Sequence, residues 1–348
     1  MSARGRLSTF WVAVRNGSLW LEDKPAVIII AAAGTTVGVV FVLASSAGWV
    51  RVTRLAEAHH AWAWLAVCLA GELVAYAGYM FTVRDMARVA EGSEMSLAVS
   101  AQTVVAGFGV FAATRSSGGF AVDYWAFQKA GATRREAAAR AVGLGLLEYV
   151  VLSIGALLAS AALFFRLDGH AGNGTTLPSL LIVPCLVLGF FLTSQKRAAR
   201  LSRRRGGYLR RWFAGLVAGG ATVRQLLTSP REHGVGVFGN AAYWAGDILC
   251  LWAALQIVDA RISVAALVLA YSGGYVLTRR SLPAGGAGLV EVALTFALVW
   301  MGLPFARTLV AVVIYRLFNF WLPILPAMLL MPAIKQLRER FQRAEQAA

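Results

Sequence analysis

An all-α polytopic integral membrane fold is what this sequence predicts, and three observations carry it. Of 348 residues, 58% are hydrophobic and 14% charged, whereas soluble domains carry about 25% charged residues. The apolar residues gather into runs close to the roughly 20 that a helix needs to cross the hydrocarbon core. The basic residues, which give a net charge of +16, fall mostly between those runs, as expected where Lys and Arg hold loops against an anionic cytoplasmic leaflet.

In chain order, residues 1–25 mix Arg4, Arg6 and Arg15 with Phe10, Trp11, Val14 and Trp20, the composition of an interfacial amphipathic segment. The run at 26–47 is too long for a signal-peptide core and reads as a retained span. Seven further long runs follow at 61–83, 95–113, 141–165, 177–193, 234–257, 263–278 and 305–331, which gives about eight long transmembrane helices. Two shorter pieces, 117–128 and 286–301, come after glycine-rich breaks and read as half-helices or re-entrant segments. Residues 26–331 thus form one transmembrane domain, interrupted by a basic linker at 194–233 and followed by a basic tail at 332–348. Within the linker, 206–228 interleaves Tyr208, Leu209, Trp212, Phe213 and Leu216 with Arg210, Arg211 and Arg224, and its glycines weaken a helix. It is expected to lie along the cytoplasmic leaflet.

The most basic loop holds Lys196, Arg197, Arg200, Arg203, Arg204, Arg205, Arg210 and Arg211, and the positive-inside rule puts it in the cytoplasm. The loop with Lys129, Arg134, Arg135 and Arg140 and the tail with Lys335, Arg338, Arg340 and Arg343 belong on the same side, with both termini. The abundance of Ala, Arg and Gly suits a GC-rich bacterium and hence a bacterial inner membrane.

Two stretches resemble each other: "SLAVSAQTVVAGFGVFAATRSSGGFAVD" at 96–123 and "SVAALVLAYSGGYVLTRRSLPAGGAGLVE" at 263–291. Each runs from a span through Thr-Arg-(Arg-)Ser and paired glycines to an acid and a short apolar piece. The repeats, about 95–165 and 263–331, enter from opposite sides under the loop assignments, so their topology is inverted. Broken helices at matching places in such repeats point to a binding site near the midplane.

Several function classes are excluded by pattern. Cys68, Cys185 and Cys250 stand singly in apolar runs, and His59, His60, His170 and His233 fall in separate loops without paired-ligand spacing, so no metal site or other cofactor is expected. Zinc-finger, RNA-recognition and helix-turn-helix patterns are absent, and nucleic acid is not an expected partner. There is no G-x-S-x-G, no phosphate-binding loop ending in G-K-[ST], and no H-E-x-x-H. An enzyme is less expected than a transporter.

The polar residues inside the apolar runs are the candidate substrate-binding set. Gly285, Gly286 and Gly288 free the backbone for positive φ. A helix beginning after Gly288 would present its amides to a phosphate, with Arg279, Arg280 and Ser281 just before it. Those arginines equally suit the role of cytoplasmic anchors. Glu291 is costly in an apolar helix and needs a partner, for which Arg316 in the last span is the best candidate. Such a pair serves either a headgroup site or helix packing. Tyr315 and Asn319 flank Arg316. In the first repeat Arg115, Gly118, Gly119 and Asp123 hold the corresponding places, and Glu148 lies in the next span. Asp123 reads either as a surface-turn cap or as a cavity residue. Glu72 and Asp247 read either as proton-coupling acids or as acids satisfied by a backbone or tyrosine partner.

Pro283, Gly285, Gly286, Gly288 and Glu291, followed by Tyr315, Arg316, Trp321 and Pro323, resemble the P-x-G-G-x-G-x-x-E and Y-R-x-x-x-x-W-x-P elements of the lysyl-phosphatidylglycerol synthase transmembrane-region family. That family includes the flippase portion of the bacterial multiple peptide resistance factor. The resemblance extends over roughly 20–335, with its specific motifs in the last third. The family's E-R-x-x-D-like element is only partly kept, because Tyr149 and Leu152 replace the arginine and the second acid after Glu148. The chain reads as a stand-alone member without the soluble aminoacyl transferase domain of the full-length synthases, and it is not expected to make lysyl-phosphatidylglycerol by itself. The resemblance implies translocation of a lipid with a charged headgroup: a phospholipid, an aminoacyl-phospholipid or a polyprenyl phosphate. Two alternatives stand beside it, a membrane-embedded transferase on a lipid-linked substrate and a non-catalytic membrane subunit of a lipid or glycan synthase. The expected partners are anionic membrane lipids, with a homo-oligomer or a partner synthase or glycosyltransferase as protein candidates.

Overall fold

A computed structural model describes residues 25–47, 61–90, 92, 94–113, 118–168, 181–203, 208–279 and 286–327. Among them every regular element is a helix: α1 (Pro25–Ala47), α2 (Ala61–Arg88), α3 (Leu97–Ala113), α4 (Gly118–Lys129), α5 (Arg134–Phe164), α6 (Ile182–Leu192), α7 (Gln195–Arg203), α8 (Tyr208–Thr228), α9 (Pro230–Ile257), α10 (Val264–Arg279), α11 (Leu289–Trp300) and α12 (Phe305–Arg316), the last continuing through a π-helical turn, Leu317–Trp321. Four of the described helices are long and apolar enough to cross a membrane: Val27–Ser46, Ala61–Arg88, Arg134–Phe164 and Phe305–Ala327. Their outward residues are large and apolar, including Ile30, Phe41, Trp62, Leu73, Leu158 and Leu325. Water would not tolerate so broad an apolar surface, and lipid does. This is a multi-pass membrane protein.

Helix starts follow local chemistry. Thr133 caps α5 in a reciprocal box, Glu136 N donating to Thr133 Oγ1 at 3.4 Å and Thr133 N to a Glu136 carboxylate oxygen at 2.9 Å, which satisfies two orphan amides. Pro230 opens α9, where a missing N–H costs nothing. As a result both helices begin earlier than the apolar runs suggest.

The centre of the molecule is the pairing of α2 with α9. A Cβ on Gly71 would stand 2.6 Å from the Gly246 carbonyl oxygen, and one on Gly239 would stand 2.6 Å from that of Gly78. Because 71 meets 246 and 78 meets 239, the helices are antiparallel, and their backbones touch where no side chain intervenes. Small residues permit such approach without any hydrophobic drive. Cys68 and Cys250 lie in this interface, with the Cys68 thiol directed at the Cys250 carbonyl at 3.4 Å. They are therefore buried in protein, and of the three cysteines only Cys185 is exposed. At one end of the pair Asp85 accepts from Gly236 N at 2.8 Å and faces His233 Nδ1 at 3.5 Å. The sequence reading of His233 as a loop residue is corrected here, since α9 begins at Pro230 and buries it.

A short helical hairpin follows each helix of this pair in the chain. In the first, Gly107 of α3 faces Val122 of α4; in the second, Gly274 of α10 meets the backbone of Leu294 in α11, a Cβ there standing 3.0 Å away. The arms have 17 and 12 residues in one hairpin and 16 and 12 in the other. At 1.5 Å per residue, no arm as described has the length of a bilayer core about 30 Å thick, so the described helices of the runs at 95–113 and 263–278 are shorter than full spans. A single shift along the chain carries Gly71 onto Gly239, Gly78 onto Gly246, Gly118 onto Gly286, Asp123 onto Glu291 and Glu148 onto Arg316. The same shift lays α2, 28 residues long, on α9, also 28 residues.

Helix α8 differs from expectation. Its glycines do not weaken it, because Gly219 packs on Gly143 of α5, and a Cβ there would stand 2.9 Å from the Gly143 nitrogen. Val223 and Leu226 join a core with Ala137, Leu144 and Leu147. One face of this 21-residue helix is therefore bound to protein.

Candidate functional site

Helix α11 starts where the sequence breaks. Gly286 and Gly288 have φ of 69° and 86°, values open to glycine and strained for other residues. Gly288 also has no room for a side chain, since a Cβ would lie 2.8 Å from Thr35 Cγ2. One turn on, Glu291 folds back and accepts a hydrogen bond from Gly288 N at 2.7 Å. The amide expected to greet a phosphate is thus held by the chain's own carboxylate.

The other oxygen of Glu291 accepts from Arg316 Nε at 2.9 Å. Both side chains are closed off, Glu291 at 0% and Arg316 at 1% exposure. The guanidinium lies 4.4 Å from the centre of the Phe320 ring, a cation–π contact that partly replaces lost hydration.

Arg316 is placed by the π turn that follows it. Pro323 has no N–H for the carbonyl four residues back, and Leu322 N instead reaches five back to the Leu317 carbonyl. The widened turn buries Asn319 and Phe320. Such turns are rare and often sit at functional sites.

Asn319 extends the ion pair into a chain of polar contacts. Its Oδ1 accepts from Arg316 Nη1 at 3.3 Å, and its Nδ2 donates to Asp247 Oδ1 at 2.8 Å. The second Asp247 oxygen accepts a short hydrogen bond from the Tyr271 hydroxyl. Tyr315, fully buried, also lies against Asp247. Glu72 of α2 completes the cluster, its carboxyl group lying against Asp247, Cys250 and Asn319. Five helices, α2, α9, α10, α11 and α12 with its π turn, therefore meet at one buried polar cluster. Among the described residues, no group of three or more His, Cys, Asp or Glu side chains is placed to hold a metal ion.

The structure brings Gly286, Gly288, Glu291, Tyr315, Arg316 and Asn319 together and adds Glu72, Asp247 and Tyr271. Of the two readings of Asp247, it makes the tyrosine partner. Arg279 is the last residue of α10. Arg115, Arg280, Ser281 and Gly285 lie outside the described residues. Gly118 and Gly119 open α4. Asp123 is buried within α4 at 6% exposure, which removes the surface-turn reading. Glu148 is buried on α5, and its backbone carbonyl accepts from Trp244 Nε1 at 2.9 Å. Neither Asp247, Asn319 and Tyr271 as a network nor the π turn was legible as such; Pro323 was the available signal for the turn.

Residues 26–327 match the profile of the family described as lysylphosphatidylglycerol synthase TM region. Among curated proteins, none matches the chain.

Proposed function

We propose, from the premise that this chain belongs to the lysylphosphatidylglycerol synthase TM region family, that it moves a lipid with a phosphate-containing headgroup across a bacterial inner membrane. Both termini and the basic linker sit on the cytoplasmic side. One observation carries the reading: a fully buried Glu291–Arg316 pair stands where a glycine-broken helix meets a π turn. Charges at such depth are expensive, and irregular backbone is tolerated there only when enclosed by protein or lining a cavity.

In the closed form Glu291 occupies both donors a phosphate would want, the guanidinium and the Gly288 amide. The headgroup phosphate exchanges for the Glu291 carboxylate on these two donors, while the acyl or prenyl tails stay in lipid. Arginine suits this exchange because its fork binds carboxylate and phosphate alike. The two hairpins act as re-entrant halves of an inverted repeat, and rocking one half against the other around the α2–α9 pair would expose the site to each leaflet in turn. The constant shift relating the halves supports this, as does the antiparallel run of α2 and α9.

The test is native mass spectrometry of lipids retained by purified wild type and by Arg316→Leu. Enrichment of one phospholipid or polyprenyl phosphate in the wild type, lost in the variant, is the expected result. Lipids that mirror the bulk membrane in both would contradict the headgroup site. The complete closure of the pair favours a second reading, in which the charges fix helix packing in a membrane subunit of a synthase; co-purification of such an enzyme with bulk lipid only would support it.

A further inference from the structure

The cluster around Arg316 contains one more acid than its charges explain. Glu291 is matched by Arg316. Asp247 is arranged as a carboxylate, because each oxygen accepts from a donor, Asn319 Nδ2 on one side and the Tyr271 hydroxyl on the other. Glu72 remains. It is 5% exposed, its Oε1 has no hydrogen-bond partner, and its carboxyl group lies against that of Asp247.

Among the described residues, the groups facing Glu72 offer no second cation. On α9 they are Asp247 and the Cys250 thiol, and on α2 itself Cys68, already directed at the Cys250 carbonyl. The π turn and α12 contribute Asn319, Tyr315 and Arg316, whose guanidinium is shared between Glu291 and Asn319. Tyr271 of α10 and Glu291 of α11 lie further along the same polar chain, and α5 buries the acid Glu148 and Arg140, the latter donating to the Val89 carbonyl past the far end of α2. Helix α3 carries no charged residue. Two carboxylates in contact within a low-dielectric interior cannot both stay ionised when the nearest cation is already neutralised.

We propose that Glu72 and Asp247 form a site for one exchangeable proton, carried on the Glu72 carboxyl and facing an ionised Asp247. The proton site is joined to the ion pair by a single bridging side chain, since Asn319 touches both Asp247 and Arg316. An anion bound at Arg316 adds negative charge to the cluster and so tightens the proton, and by reciprocity the proton tightens the anion. Proton and anionic headgroup then move together. This coupling rests on the headgroup reading above, whereas the proton site does not need it.

Infrared difference spectroscopy of the purified protein in detergent tests the site without any added lipid. The wild type is expected to show a carboxylic-acid C=O component at neutral pH that shifts in heavy water and on labelling with carboxyl-13C glutamate, and not on labelling with carboxyl-13C aspartate. Glu72→Gln removes that component, Glu148→Gln leaves it, and Glu291→Gln, which frees the Arg316 charge, lowers the pH up to which it is seen. Should Glu72→Gln fail to fold, Glu72→Asp supplies the same test, moving the component from the glutamate label to the aspartate label. A component that is absent in the wild type, that follows the aspartate label there, or that survives Glu72→Gln overturns the proposal. The coupling is read separately, as retention of an anionic phospholipid from vesicles of stated composition that rises as pH falls in wild type and is flat in Glu72→Gln. Retention that is absent in wild type at every pH would count against the headgroup reading and leave the infrared result standing.

Discussion

The two halves of this protein share a frame and differ in charge. In the second half the acid Glu291 faces Arg316; at the places a constant shift assigns to them, the first half has Asp123 and Glu148, two buried acids. In the second half α11 begins only after Gly288 has taken a positive φ, and Glu291 caps that start. The stretches that the constant shift relates thus share close helix contacts, while the acid–arginine pair stands in the second alone among the described residues. Packing and chemistry are separable here, and variants can pull them apart.

The largest effect belongs to Arg316→Leu. It leaves Glu291 buried without its counter-charge, and breaking such a pair costs about 3–5 kcal/mol. Thermal unfolding in detergent should show a large drop, and the double variant Glu291→Gln/Arg316→Leu should recover most of it, because both charges are gone. Failure of the double variant to recover would mean that Arg316 serves stability through Asn319 and Phe320 more than through Glu291.

Next comes the α2–α9 contact that both halves share. Gly71→Val and Gly239→Val, at places the constant shift equates, each drive a side chain into the facing backbone, and overpacking of this kind costs about 1–3 kcal/mol. Equal losses at the two sites would support their equivalence, and a loss at one alone would break it. A smaller effect, about 1–2 kcal/mol, is expected for Gly288→Ala, which combines left-handed backbone strain with crowding against Thr35. At the bottom of the scale, Gly34→Ala in α1 meets nothing within 4 Å and should be neutral or stabilising by up to about 1 kcal/mol through helix propensity.

How much of this could be read from residues alone varied with distance along the chain. The glycine break, the start of α11 and the Glu291–Arg316 partnership were legible because an intramembrane acid demands a cation and few cations are in reach. The short motifs shared by 96–123 and 263–291 were legible too, and the constant shift was not. The α2–α9 centre was not, although Gly71, Gly78, Gly239 and Gly246 are spaced so that each helix presents its pair on one face; nothing local says which other helix approaches. The polar chain through Asn319, Asp247 and Tyr271 was hidden for the same reason, being assembled from three helices. Helix α8 was misjudged because glycine lowers helix propensity in isolation, while here it admits a neighbouring backbone.

The most direct test of the central claim is lipid translocation in vesicles reconstituted with the Glu291→Gln/Arg316→Leu double variant, first shown to unfold near the wild-type temperature. A folded protein that no longer moves a phosphate-bearing lipid is the predicted result. Transport at the wild-type rate would show that the buried pair serves packing alone and would remove it from the path of the headgroup.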